Sequence, residues 1–307
     1  MIIMVEKEGF VYGEWRKAIN AAANINVQSS MYTAGAVHNE EVAKKIGMRG
    51  GVVAGTVHHD LFAPVLQKMF GQRWFEQGTL SMFFLYALLQ DEKVRAVVQM
   101  PPKNTKDAQV EVWLESADGH RVGEGTVSIG NPKAQSHLQT MEIKNSPKEE
   151  RRILRDIEIG YEIPMGDVIV KQEPGGLSFV VNGTESPART LANLEDKIPW
   201  YEGNSPWGSA IVPLSWVYGL IRLSLPYKTQ GVGFFGANEI KFINGPILIN
   251  VPYKFKFKVV AVGVTSKTEY LWHDAQIFDG DGKKLIATGR HMTRWMKAGS
   301  PLYPEIK

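Results

Sequence analysis

Gly50-Gly51-Val52-Val53-Ala54-Gly55 runs straight into Thr56-Val57-His58-His59-Asp60-Leu61-Phe62-Ala63-Pro64-Val65-Leu66-Gln67-Lys68-Met69-Phe70, a small-residue turn followed by a dense apolar run. Val57, Leu61, Phe62, Val65, Leu66, Met69 and Phe70 recur at helical spacing and cover more than one side of the cylinder. A helix apolar over most of its circumference is buried rather than laid on a surface. The pattern returns later in the chain. Gly208-Ser209-Ala210-Ile211-Val212-Pro213 opens a second run from Leu214 to Leu225, carrying Trp216, Val217, Leu220, Ile221 and Leu223. Laying Ala210 on Gly51 gives an offset of 159 residues.

Downstream of each run stands a hairpin signal, alternating apolar residues around an Asp-Gly turn. The first places Ala117-Asp118-Gly119-His120 between VEVWLES and RVGEGTVSI; the second places Asp279-Gly280-Asp281-Gly282 between HDAQIF and KKLIATGRHMTRW. Here the offset is 163. Two marks in one order at nearly one spacing indicate an internal duplication. Lys254-Phe255-Lys256-Phe257-Lys258-Val259 alternates lysines with apolar residues, the signature of a strand with one buried face. Each half thus reads as one buried helix wrapped by a bent antiparallel sheet, which is a hot-dog fold. The fold class expected is α+β, a double hot-dog. The polar stretch Asn131 to Arg155 reads as a linker, so the expected organisation is 1–130, a linker 131–155, and 156–307.

The 307 residues are 44% hydrophobic and 22% charged, which excludes a disordered chain or a fibre. With 35 Lys+Arg against 32 Asp+Glu, the net charge of +3 calls for no nucleic-acid partner. No cysteine is present, so disulfides, thiolate metal sites and a Cys nucleophile are excluded together. The opening MIIMVEKEGF turns charged too soon for a signal peptide, and no apolar run reaches the ~20 residues that span a bilayer. A cytoplasmic protein with no membrane partner is expected. Neither HExxH, a metal-spaced cluster nor a Walker-type run occurs, and no metal is expected. Gly231-Val232-Gly233-Phe234-Phe235-Gly236 fits GxGxxG but opens no helix, and reads as a loop before a strand at Asn238–Ile243.

The segment YTAGAVHNEEVAKKIGMRGGVVAGTVHHDLF, Tyr32 to Phe62, resembles the MaoC-like, or R-specific enoyl-CoA hydratase, family. That family carries Asp-x-Asn-Pro-Ile-His, a short helix ending in Ala, and Phe-x-x-Pro-Ile-x-His-Gly opening the long helix. His38 falls at the pattern's histidine, while the Asp position five residues earlier is Thr33, Asn-Pro is Gly35-Ala36, and the helix-opening histidine is Ala54. Trp207-Gly208-Ser209-Ala210-Ile211-Val212-Pro213 follows the helix-opening part in the second half. The resemblance implies an acyl-thioester hydro-lyase acting on an acyl-CoA. Coenzyme A then enters as part of the substrate, and no separate cofactor is expected.

Hydrating an enoyl thioester requires a base for water, an acid for the α carbon and donors for the enolate oxygen. Amide groups at the start of a buried helix are suited to the last task, and glycines let a ligand approach them. Gly51, Val53, Gly55, Thr56 and Pro213 are the candidates on that side, Gly50, Gly51 and Gly55 serving equally as the turn into the helix. The acid–base candidates are His38, His58 and its neighbour His59, Asp60, and Glu202. Tyr32 is a candidate hydrogen-bond donor to substrate. Arg222, inside the second apolar run, is a candidate partner for a substrate carboxylate or the CoA phosphates, or half of a structural ion pair. Trp74, Phe75, Trp207 and Trp216 suit a bulky or aromatic acyl group. Two alternatives stand beside the hydro-lyase: a hot-dog thioesterase using Asp60 or Glu202, and a non-catalytic protein that binds an acyl ligand. Pairing of the halves within one chain admits a monomer or a homodimer.

Overall fold

A computed structural model of the chain describes residues 4–20, 36–220 and 229–306. In the first half, strands β1 (Val5–Lys7), β2 (Phe10–Tyr12) and β3 (Arg16–Lys17) precede helix α1 (Glu40–Lys45). A 3₁₀ segment, Gly55–Leu61, then runs into α2 (Phe62–Phe70) and α3 (Gln72–Gln77). Strands β4 (Gly78–Phe84), β5 (Lys93–Gln99), β6 (Ala108–Ser116) and β7 (Arg121–Ile129) follow, then a single turn of helix, α4 (His137–Thr140). The second half repeats the plan. It holds β8 (Glu162–Glu173), β9 (Gly176–Val181), β10 (Thr184–Glu185), α5 (Leu214–Leu220), β11 (Gly233–Phe242), β12 (Pro252–Val264), β13 (Thr268–Asp279) and β14 (Leu285–Met296).

The strands form one sheet in the order β1-β2-β5-β6-β7-β4-β11-β14-β13-β12-β8-β9-β10. The halves meet where β4 pairs antiparallel with β11, from Ala237 opposite Phe83 to Lys241 opposite Thr79. On either side the order is mirrored, β7-β6-β5 matching β14-β13-β12. This is a double hot-dog. The turn glycines read from sequence stand between β6 and β7 and between β13 and β14, with Gly119 and Gly282 at φ of 91° and 73°, values that favour glycine. In β12, Phe255, Phe257 and Val259 are buried while the interleaved lysines reach solvent.

Two local expectations need revision, and a third falls partly outside the described residues. The run from Thr56 to Phe70 is not one α-helix, because Pro64 has no N–H to give the Asp60 carbonyl and cannot sit inside an unbroken α ladder. The 3₁₀ segment takes up that break. The strand expected at Asn238 begins at Gly233, so the last four residues of the GxGxxG match are strand, with a register shift between Phe235 and Ala237. The second apolar run is helical over Leu214–Leu220, and its remainder lies outside the described residues.

Residues 131–155 are tied down at several points. Leu138 packs with Ala237, Trp272 and Met292, and its amide donates to Ser81 Oγ at 3.0 Å. The buried Glu269 carboxylate accepts the amides of Arg152, Ile153 and Leu154 at 2.7, 2.9 and 2.8 Å. Among the described residues no helix is long and apolar enough to cross a membrane.

At the junction of the halves, Leu80 lies opposite Ile240 and both are fully buried. Leu80→Ala is expected to destabilise the chain by about 2–5 kcal/mol, the range for emptying such a site. Urea unfolding checks this; a cost below about 1 kcal/mol would show that the junction is not a packed core.

Candidate functional site

The two helix starts are built alike. Val52 bridges Leu89 and Ile211 bridges Leu248, and both members of the second bridge follow the first by 159 residues (211−52 and 248−89). The Val53 amide donates to the Leu88 carbonyl at 2.8 Å, and the Val212 amide to Ile247 at 2.9 Å. Val53 was expected to offer its N–H to a ligand; that group is committed to the bridge. Pro213 has no N–H at all, and its carbonyl accepts from Trp216 and Val217 at 2.9 and 3.0 Å. The Ser215 amide donates to Asp60 Oδ1 at 2.9 Å, so a side chain from the first half caps the helix of the second.

Around that contact stands a group of buried polar side chains. His58 Nδ1 lies 2.7 Å from Oε2 of Glu195, which comes from the second half, and Glu195 Oε1 accepts the Ile19 amide at 3.0 Å. His59 Nδ1 bonds the Thr56 carbonyl at 3.1 Å, and its ring lies 4.0 Å, centroid to centroid, from that of Tyr218. Asp60 and His59 are completely buried, whereas His58 keeps 2% of its surface exposed. Among the described residues, four atoms here have no hydrogen-bond partner: His59 Nε2, Asp60 Oδ2, Tyr201 OH and Tyr218 OH. Burial pushes the Asp60 carboxyl up to about 8 against the opposing Ser215 bond, with Glu195 and Asp196 adding to the rise. Burial likewise drives the His59 imidazole down to about 3. Asp60 is therefore a neutral acid, and His59 a neutral ring, at pH 7. Burial also raises the Tyr201 and Tyr218 hydroxyls well above their ordinary range, with the Asp60 charge contributing at Tyr201 and the Glu239 charge at Tyr218.

The sequence candidates divide. His58 and Asp60 stand in this cluster, and Thr56 supplies a carbonyl to it. His38 is half-buried, its Nδ1 2.7 Å from the Val52 carbonyl. Gly51 lies so close beneath it that a Cβ there would meet the His38 carbonyl oxygen at 2.5 Å, which is why that position is glycine. A Cβ on Gly55 would meet the Phe84 ring at 2.9 Å. Glu202 is exposed at the end of the 3₁₀ turn Pro199–Glu202, next to the buried Tyr201, and is not among the buried groups of the cluster. Trp207 donates to Glu76 at 3.0 Å and packs on Phe75 and Trp200, while Trp216 stacks on Phe179 at 4.7 Å. Trp74 and Phe75 are buried against each other, so these two are core before they are acyl pocket. Tyr32 and Arg222 lie outside the described residues. Among the described residues no group of three or more His, Asp or Glu is arranged to hold a metal ion.

Glu195, Tyr201 and Tyr218 were missed. A signal for both tyrosines was available. Tyr218 follows His59 by the same 159 residues. The Ile211 amide bonds the Trp200 carbonyl at 3.0 Å as the Val52 amide bonds Val37 at 3.1 Å, which puts Tyr201 at the place of His38. Asp196 precedes Tyr201 by the five residues that separate Asp from His in the hydratase pattern, and Arg16 grips its carboxylate at 3.1 and 3.2 Å. The His58–Glu195 pair carried no such signal, since its members are 137 residues apart.

The chain matches no family model. No curated protein matches it by sequence. Its shape, however, is that of known hot-dogs. A conserved Mycobacterium tuberculosis protein with a double hot-dog fold superposes with a TM-score of 0.53 at 7% identity, covering 92% of this chain and 94% of that one. A protein described as a MaoC domain dehydratase, from Chloroflexus aurantiacus, gives 0.49 at 10% identity over 92% and 95%. The dehydratase domain of a mycocerosic acid synthase-like polyketide synthase gives 0.48 at 10% identity over 96% and 93%.

The buried acid has a signature in stability. Asp60 keeps its proton to about 8 when folded but loses it near 3.8 when unfolded. Between those values the unfolded state binds fewer protons, so stability contributed at this site falls as pH rises. Asp60→Asn removes the titration while keeping an oxygen for the Ser215 amide. The variant should gain on the parent by on the order of 1 kcal/mol per pH unit between about pH 4 and 8. Urea unfolding at a series of pH values reads the difference, and a gap that does not widen with pH would mean that Asp60 is ionised in the folded chain.

Proposed function

We propose that this double hot-dog binds an acyl thioester where its halves meet, and adds or removes water at the double bond beside the thioester carbonyl. The observation that carries this reading is the set of four unpartnered polar atoms buried between the helix starts. Buried polar groups in folded chains are nearly always satisfied, so four together favour a polar ligand group or water at that place. The resemblance of residues 32–62 to the hydratase pattern favours a hydro-lyase over a hydrolase.

The roles follow from contact at His58 and from protonation state at Asp60 and the two tyrosines. His58, held by Glu195 and not wholly enclosed, is assigned as the base that takes a proton from water. The hydroxide oxygen bonds to the β carbon, and the electron pair of the double bond moves toward the thioester oxygen. Tyr201 and Tyr218 keep their protons and are assigned as donors to that oxygen. Asp60, neutral at pH 7, is assigned as the acid that protonates the α carbon. Return of the proton from the His58 imidazolium to the Asp60 carboxylate resets the site, and dehydration is the same sequence reversed. Gly55 and Thr56 open the 3₁₀ segment that carries His58 and Asp60. The substrate class is an acyl-CoA or a similar thioester with a bulky acyl group.

Mass spectrometry after incubation with enoyl, 3-hydroxyacyl, saturated and aromatic acyl-CoAs tests the proposal. Gain or loss of one water is expected, with His58→Ala lowering turnover about a hundredfold or more. Release of free CoA would replace the hydro-lyase by a thioesterase. No change across the panel would overturn the catalytic reading in favour of ligand binding.

A further inference from the structure

We infer that Glu195 is the positioning residue for His58, reaching across from the other half of the chain to fix which ring nitrogen is free to act as a base. This rests on the assignment of His58 above and names a residue that neither the hydratase pattern nor either helix start contains. An ionised carboxylate only accepts hydrogen bonds. The Ile19 amide donates to Glu195 Oε1 at 3.0 Å, and Oε2 lies 2.7 Å from His58 Nδ1, so a carboxylate at this place takes the ring N–H as its second bond. The proton on the imidazole is thereby held at Nδ1, and Nε2 is left with the lone pair that a base needs. The Glu195 side chain is fully enclosed and that of His58 keeps only 2% of its surface exposed, so water competes little for the Nδ1–Oε2 contact. A carboxylate beyond the imidazole also stabilises the imidazolium formed when Nε2 takes a proton.

The backbone amide of Ile19 makes this arrangement testable, because it is a donor that cannot change role. In Glu195→Gln the side-chain oxygen must stay on Ile19, since the alternative sets one N–H against another. The new NH₂ group then faces His58 Nδ1, which must become an acceptor, and the ring proton moves to Nε2. An isosteric change thus reverses the tautomer without removing a contact. Glu195→Asp keeps the charge on a shorter stem and keeps the proton at Nδ1.

The experiment is ¹⁵N NMR of histidine-labelled full-length chain, with the His58 signal identified by its loss in His58→Gln, alongside turnover on the thioester found in the panel above. Expected for the parent is the Nδ1–H form; for Glu195→Gln, the Nε2–H form, with turnover lower by about a hundredfold or more and KM little changed. Glu195→Asp should keep the parent tautomer and recover part of the rate. A His58 tautomer unchanged in Glu195→Gln overturns the inference, as does a reversed tautomer with undiminished turnover. If no thioester is turned over at all, the hydro-lyase reading fails, while the tautomer measurement still decides whether Glu195 sets the ring. Melting curves separate these results from unfolding.

Discussion

The antiparallel pairing of β4 with β11 is the constraint on which the rest depends. β4 follows α3 without a gap and β11 is the next described strand after α5, so joining the two strands edge to edge ties the helical segments of the two halves to one sheet. It also removes two open sheet edges that would otherwise recruit another chain. From that one junction follow the contacts that local sequence could not produce. Asp60 reaches the Ser215 amide 155 positions away, and His58 reaches Glu195. The candidate site is a consequence of how the halves join, and neither half contains it alone.

Enclosing these groups is unfavourable unless something compensates. Leaving a buried polar atom unpaired costs roughly 1–3 kcal/mol, and four such atoms gather here inside an otherwise apolar core. The chain lowers the cost by keeping Asp60 protonated and His59 neutral, so that neither buries a charge. His58 and Glu195 are treated differently, because they satisfy each other. A core built for packing alone would fill the same volume with leucine and valine.

Much of the fold was legible because duplication writes each signal twice. The small-residue turns before Thr56 and Leu214, the Asp-Gly hairpins and the alternation at Lys254–Val259 all report local conformation, which sequence encodes directly. The site was legible only in part. His58 and Asp60 stand out because polar residues at the start of an apolar helix need partners, but the partners come from elsewhere in the chain. Glu195 sits in Leu194-Glu195-Asp196-Lys197, an unremarked polar turn until Arg16, Ile19 and His58 are brought against it. The availability of the Val53 amide was misjudged for a similar reason, since the Leu88 carbonyl that consumes it arrives from a separate loop.

The two halves cannot be interchangeable at this place, and the reason is steric. The 159-residue relation pairs His58 with Val217, His59 with Tyr218 and Asp60 with Gly219. A side chain matching Asp60 would have to grow from Gly219, where even a Cβ would stand 2.4 Å from the Phe179 ring. Phe179 in turn is held by its stack on Trp216. The first half therefore reaches across to cap the helix of the second, while the second half, barred from returning the contact, supplies Glu195 instead. Divergence of the copies has exchanged two equal contacts for two different ones, Asp60 against the Ser215 amide and Glu195 against His58.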